Sequence, residues 1–89
     1  MILDTERWKV SLAGKPLMVT RSEFKVLRRL AMADGKLVTR GALVRDVFKG
    51  SISGRSVDQH IYKLRAKLPE GTIRTIWGEG YSIEGVRVK

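Results

Sequence analysis

The stretch RSVDQHIYKLRAKL, residues 55–68, predicts an amphipathic helix. Its apolar side chains Val57, Ile61, Leu64 and Leu68 are spaced by four, three and four residues, which places them on one helix face. The opposite face is basic, rich in hydrogen-bond donors and free of glutamate. A helix of this width fits the DNA major groove, so we interpret it as a candidate DNA-reading helix.

Individual side chains of this helix match contacts that proteins make with duplex DNA. Lys63 can donate to guanine, Gln59 can pair with adenine, and Tyr62 can contact a phosphate or a thymine methyl group. His60 lies on the flank, where we expect contact with a phosphate. We expect Asp58 in the first turn, where a carboxylate suits the helix dipole; contact with a cytosine amine or with a neighbouring arginine is the alternative.

The preceding loop from Lys49 to Gly54 raises nucleotide binding as an alternative. A phosphate-binding loop requires the pattern GxxxxGK[ST] after a buried strand. Here Gly50 and Gly54 enclose one residue too few, Arg55 stands in place of the lysine, and the preceding segment predicts a helix. The nucleotide interpretation is therefore rejected in favour of docking on nucleic-acid phosphates.

The composition also favours a nucleic-acid partner. The 89 residues include 18 Lys and Arg against nine Asp and Glu, which gives a formal net charge of +9. Such an excess favours polyanions, with nucleic acid ahead of an anionic membrane surface. No apolar run approaches the ~18–20 residues of a membrane helix. Binding to a membrane surface is disfavoured because the apolar stripe of residues 57–68 is needed for the core. We therefore expect no membrane partner and a cytoplasmic location.

The residue types for catalysis or metal binding are sparse. The chain has no cysteine, and its one histidine, His60, has no nearby pair of carboxylates. No serine has both a base and an orienting group, so a catalytic triad has no support. We expect neither an enzyme nor a bound cofactor.

The N-terminal third predicts strands followed by a helix. Residues 7–12 alternate with period two, and the chain returns over residues 17–19, which predicts a hairpin with Ile2-Leu3 as an additional strand. TRSE at residues 20–23 is a capping box that begins the first helix. Asp34-Gly35 ends that helix.

The remainder predicts a second helix, the reading helix and a second hairpin. Thr39 caps the second helix. Ser56 and Gln59 have capping-box spacing, so the sequence allows two starting positions for the reading helix that differ by about one turn. Residues 73–83 form a hairpin around Gly78-Glu79-Gly80.

This order predicts an α+β fold: a winged helix-turn-helix with an N-terminal antiparallel sheet, a three-helix core and a C-terminal β-hairpin wing. We expect residues 1–89 to form one domain. On a winged domain the hairpin lies against the DNA backbone or enters the minor groove, so Arg74, Thr75 and Trp77 are candidate contacts. Trp77 either packs against the domain or contacts DNA through its indole ring, and Glu79 at the tip disfavours deep insertion.

Three motifs resemble the DNA-binding effector domain of OmpR/PhoB-type response regulators. They are VTRSEF at residues 19–24, VDxHIxxLRxKL at 57–68 and RTxxGxGY at 74–81. The resemblance implies a four-stranded N-terminal sheet and a bacterial, nucleoid-associated transcription regulator of a two-component system. It also implies binding to direct repeats as a head-to-tail pair with a second copy. We see no receiver domain in the 89 residues, as expected of an excised effector domain or a small stand-alone regulator.

The resemblance also implies site residues. The family's DNA-contacting helix positions match Arg55, Asp58, Gln59, His60, Lys63 and Arg65, to which the residues themselves add Ser56, Tyr62 and Lys67. Its wing positions match Arg74, Thr75 and Trp77, although many members have arginine in place of Trp77. The loop from Lys49 to Gly54 matches a segment that can face RNA polymerase. The alternative to DNA binding is a winged-helix interaction module whose basic face meets an acidic protein partner.

Overall fold

The computed structural model describes all residues 1–89 and confirms the predicted α+β winged-helix class. The elements are, in order, β1 (Ile2–Asp4), β2 (Lys9–Leu12), β3 (Lys15–Leu17), α1 (Arg21–Met32), β4 (Val38–Thr39), α2 (Arg40–Asp46), α3 (Gly54–Arg65), β5 (Ile73–Ile76), β6 (Gly80–Ile83) and β7 (Arg87–Val88). None of the three helices has the length and apolar character needed to cross a membrane.

The three N-terminal strands of the first sheet pair antiparallel as predicted. The expectation that all four strands of this sheet are N-terminal is wrong, because the fourth is β7. Its order is β3-β2-β1-β7, and β7 pairs with β1 in parallel. The chain turns after β6 at Gly85, whose φ of 72° suits glycine. The N–H of Arg87 then donates to the Met1 carbonyl at 2.9 Å, and that of Lys89 to the Leu3 carbonyl at 2.8 Å. The fourth strand therefore comes from the C-terminal end.

The first hairpin begins later than the alternating pattern predicts. Trp8 has a φ of 57° and belongs to a turn, so β2 starts at Lys9. The Asp4 carboxylate closes this turn by accepting from the N–H groups of Glu6 and Arg7, both at 3.1 Å. Local hydrogen bonding of this kind competes with strand pairing.

The capping box at the start of α1 is confirmed. The Thr20 hydroxyl accepts from the Glu23 N–H at 3.1 Å, and the Glu23 carboxylate accepts from the Thr20 N–H at 2.8 Å. The helix buries Phe24, Leu27 and Leu30. The two capping side chains therefore fix the start of α1, and packing against the core fixes its inner face.

The boundaries of α3 differ from the prediction of residues 55–68. The N-cap is Ser53, whose hydroxyl accepts from the Ser56 N–H at 3.3 Å, so Ser56 lies inside the first turn rather than at the cap. The helix ends at Arg65. Leu68 follows the helix and is nevertheless buried, so the predicted apolar stripe faces the core along its whole length.

The second sheet carries the wing, in the order β4-β6-β5. Gly80 lies against β4 so closely that a Cβ there would approach the Val38 carbonyl oxygen to 2.1 Å, and glycine is therefore required. Sixteen buried apolar residues form one core cluster drawn from both sheets and all three helices. This packing holds the wing hairpin, residues 73–83, beside α3.

Candidate nucleic-acid interface

The outward face of α3 is exposed and basic, as the periodicity predicts. Arg55, Gln59, Tyr62 and Lys63 are all exposed, with 78% of Tyr62 accessible. Together with Asp58 they line one shallow groove on the surface. The opposite face of the helix lies in the core, so these side chains cannot turn inward.

Two cations of this face are free of internal partners. Arg55 and Lys63 take part in none of the side-chain hydrogen bonds or salt bridges of the structure. A free exposed cation keeps its full donor capacity for an external anion. The groove therefore presents two cations, an amide and a phenol to a ligand.

Asp58 does not serve the helix dipole, because the first turn of α3 contains no acidic residue. Its carboxylate accepts instead from the Tyr81 hydroxyl at 2.6 Å and pairs with the Arg40 guanidinium at 3.2 Å. Burial and then the hydrogen bond to Asp58 raise the pKa of Tyr81 to about 12. Of the roles considered for Asp58, orientation of a neighbouring arginine is the one that its contacts match.

Arg65 and Thr75, both predicted to contact DNA, contact each other. The Arg65 guanidinium donates to the Thr75 hydroxyl at 2.6 Å and to the Ile73 carbonyl at 2.8 Å. It also lies 5.5 Å from the centre of the Tyr81 ring. The two side chains therefore join α3 to the wing.

His60 and Ser56 lie on the half-buried flank of α3. Nδ1 of His60 is 2.8 Å from the Ser56 carbonyl oxygen, and since a carbonyl only accepts, Nδ1 carries the proton. The imidazole also packs on Phe48, with 4.7 Å between ring centres. His60 thus contributes to helix packing, and its Nε2 has no hydrogen-bond partner within the protein.

Lys67 lies beyond α3 and pairs with the cap of α1. Its ammonium group is 2.7 Å from the carboxylate of Glu23, which is buried. Burial works to raise the pKa of Glu23, but the hydrogen bonds from Lys67 and Thr20 outweigh it and lower the pKa. Lys67 is therefore engaged in a structural ion pair.

The wing carries one paired cation and one free aromatic ring. Arg74 pairs with Glu84 at 2.5 Å, and both side chains are exposed. Trp77 is 89% exposed at the wing turn, so the interpretation that it packs against the domain is wrong. The twelve predicted residues thus divide into a free set, Arg55, Gln59, Tyr62, Lys63 and Trp77, and a set with internal partners, Ser56, Asp58, His60, Arg65, Lys67, Arg74 and Thr75.

Sequence reasoning missed Tyr81 and Arg40, which the structure places at the junction of α3 with its neighbours. The available signal was Tyr81 itself: it follows a glycine turn in a predicted strand, and a buried tyrosine hydroxyl normally has a hydrogen-bond partner. Arg40 gave no signal, because its partner is 18 residues away in the sequence.

The sequence and the structure of this chain are both similar to those of known transcription regulators. Residues 14–83 match the family model described as transcriptional regulatory protein, C terminal. The sensory transduction protein RegX3 of Mycolicibacterium smegmatis is 33% identical over 90 residues, which cover 93% of this chain and 40% of RegX3. The response regulator DrrB of Thermotoga maritima, an OmpR/PhoB homolog, has a TM-score of 0.84 and 34% identity, covering 93% of this chain and 41% of DrrB.

A solved DNA complex is among the similar structures. The DNA-binding domain of RstA from Klebsiella pneumoniae, crystallised in complex with the RstA box, has a TM-score of 0.84 and 29% identity. That match covers 92% of this chain and 88% of the RstA domain. The chain spans about two fifths of the length of the curated relatives it matches.

Proposed function

The chain belongs to the family of OmpR/PhoB-type DNA-binding domains of response regulators, and from this membership we propose that it is a sequence-specific reader of double-stranded DNA that regulates transcription. The family consists of transcription-factor domains, which confirms the expectation that the chain is not an enzyme. Residues 1–89 act as one DNA-binding unit in the cytoplasm, at the nucleoid.

One observation carries the proposal: the outward face of α3 holds free donors beside an exposed wing tip. In the proposed geometry α3 enters the major groove, where Lys63 donates to guanine and Gln59 pairs with adenine. Arg55 and Tyr62 contact phosphates. The wing lies along the adjacent backbone or minor groove, with Trp77 as its contact.

The chain has two further partners besides the duplex. A second copy of the chain binds the neighbouring direct repeat, head to tail, about one helical turn away. The loop from Lys49 to Gly54 faces RNA polymerase. Lys49, Gly50 and Ser51 of that loop are exposed, while its last residue, Gly54, already belongs to α3.

The testing experiment is selection of randomised duplexes on the pure protein at about 150 mM salt, where purely electrostatic binding is weak. We expect recovery of a motif made of two short direct repeats. Recovery of a single short motif would support sequence reading and contradict tandem binding. Recovery of no motif would contradict the proposal and favour the acidic-protein module instead.

A further inference from the structure

Two side chains of opposite charge on one face of α3 hold the wing. Asp58 and Arg65 are seven residues apart, which is close to two helical turns and places them on the same side. Asp58 accepts from the Tyr81 hydroxyl on β6, and Arg65 donates to the Thr75 hydroxyl on β5. The helix therefore contacts both strands of the wing through hydrogen bonds between side chains.

The two contacts meet the hairpin at the same level. Thr75 and Tyr81 are directly opposite each other in the antiparallel pairing of β5 with β6. Fixing both members of one cross-strand pair restrains the tilt of the hairpin as well as its distance from α3. Thr75 and Tyr81 are two and four residues from Trp77 in the sequence. A small rotation of the hairpin at this pair would therefore displace Trp77 at the wing tip.

Both oxygens of the Asp58 carboxylate are occupied. Oδ1 accepts from Tyr81 at 2.6 Å, and Oδ2 lies 3.2 Å from Nη1 of Arg40, the first residue of α2. The carboxylate thus connects three elements: α2, α3 and the wing. Because the pKa of Tyr81 is raised to about 12, its hydroxyl remains a donor throughout the physiological range.

We propose that Asp58 is a positioning residue that fixes the wing relative to α3 through Tyr81, so that both DNA-contacting elements meet the duplex in one geometry. This inference rests on the proposed function, since it concerns how the two elements act together. In this role Asp58 supports DNA binding, although its negative charge by itself opposes it. A carboxylate in the α3 groove repels phosphates, so by charge alone its removal would strengthen DNA binding.

The test compares Asp58→Asn with Asp46→Asn on the duplex recovered by selection. Both variants remove one negative charge from a carboxylate that pairs with arginine, but Asp46 pairs with Arg29 and Arg45, away from the wing. Charge alone predicts equal or tighter binding for both. The positioning role predicts that only Asp58→Asn binds the selected duplex about five- to tenfold more weakly, the effect of losing a charged hydrogen bond.

The variant Tyr81→Phe removes the hydrogen bond to Asp58 outright without changing charge, whereas Asp58→Asn leaves a neutral amide oxygen that accepts more weakly. We expect it to weaken binding to the selected duplex in the same direction as Asp58→Asn, while affinity for a scrambled duplex changes by less than about twofold. A variant that no longer distinguishes the selected from the scrambled duplex, but still binds both electrostatically, has lost positioning and not its fold. Tyr81→Phe also keeps the test valid if Asp58→Asn fails to fold.

A second measurement needs no DNA. Amide hydrogen exchange of residues 73–83 in the free protein should be faster in Asp58→Asn and Tyr81→Phe than in wild type, and unchanged in Asp46→Asn. If wild type selects no motif, the proposed function fails while this measurement still decides whether Asp58 fixes the wing. Equal exchange rates and equal DNA affinities for Asp58→Asn and Asp46→Asn would overturn the inference.

Discussion

The ammonium group of Lys67 lies 2.7 Å from the buried carboxylate of Glu23, and this ion pair ties the chain after α3 to the N-terminus of α1. The same carboxylate accepts from the Thr20 N–H at 2.8 Å, so one acid both caps a helix and receives a distant lysine. We expect Glu23→Gln to lower the free energy of unfolding by about 1–3 kcal/mol, since a charged hydrogen bond is lost from a buried position. Urea unfolding measures this change.

The pH dependence of stability follows from the lowered pKa of Glu23. Its stabilising contribution is complete above the pKa of an unfolded-chain glutamate, about 4.3, and is lost as pH falls through the lower folded-state value. The stability difference between wild type and Glu23→Gln should therefore shrink below about pH 4. Glu70→Gln, at an exposed position without partners, is the matched control. A stability difference that is constant from pH 7 to 3 would contradict this account.

Truncation of Trp77 should affect DNA binding, whereas truncation of Trp8 should affect stability. Trp77→Ala removes a ring that is 89% exposed, so we expect a stability change within about 0.5 kcal/mol but weaker DNA binding. Trp8→Ala removes a half-buried ring that packs at a tilt on Phe24 with 5.0 Å between centres, and should destabilise by about 2–4 kcal/mol. Thermal unfolding and fluorescence anisotropy with labelled duplex measure the two effects. If Trp77→Ala binds DNA as tightly as wild type does, Trp77 does not contact the DNA.

Arg55 is expected to contact a phosphate rather than a base. Arg55→Ala should weaken binding to selected and scrambled duplexes alike and reduce the slope of log K against log salt by about one. Titrations at several salt concentrations give that slope. An unchanged slope with weaker binding to the selected duplex only would reassign Arg55 to base contact.

Lys63 is expected to contact a base. Lys63→Ala should cost about 1–3 kcal/mol of binding free energy and relax preference at one base position. Lys15→Ala, an equal loss of charge at an exposed position on β3, serves as the control. Repeating the duplex selection with both variants measures the preference. Equal effects of the two substitutions would mean that Lys63 contributes only charge.

Local patterns allowed much of the fold to be predicted. The capping box at Thr20 and Glu23 needs only residues three apart, and the α3 stripe needs only the helical period. The pairing of β7 with β1 could not be predicted, because a strand of two residues, Arg87–Val88, carries no periodicity and its partner is at the other end of the chain.

The candidate site was predictable in outline but not in its internal contacts. Exposure of Lys63 follows from its position opposite the apolar stripe. The engagement of Asp58 with Tyr81 and of Arg65 with Thr75 depends on where the wing packs, which no spacing within α3 encodes. The same limit applies to Lys67, whose partner Glu23 is 44 residues away.

Methylation protection of guanine N7 on the selected duplex measures whether the outward face of α3 reads bases in the major groove. Guanine N7 lies in the major groove and adenine N3 in the minor groove, so the two methylation sites report the two grooves separately. We expect wild type to protect guanine N7 within each repeat, and Lys63→Ala to lose protection at one position. Protection confined to adenine N3, with every guanine N7 accessible, would show that α3 does not read bases in the major groove.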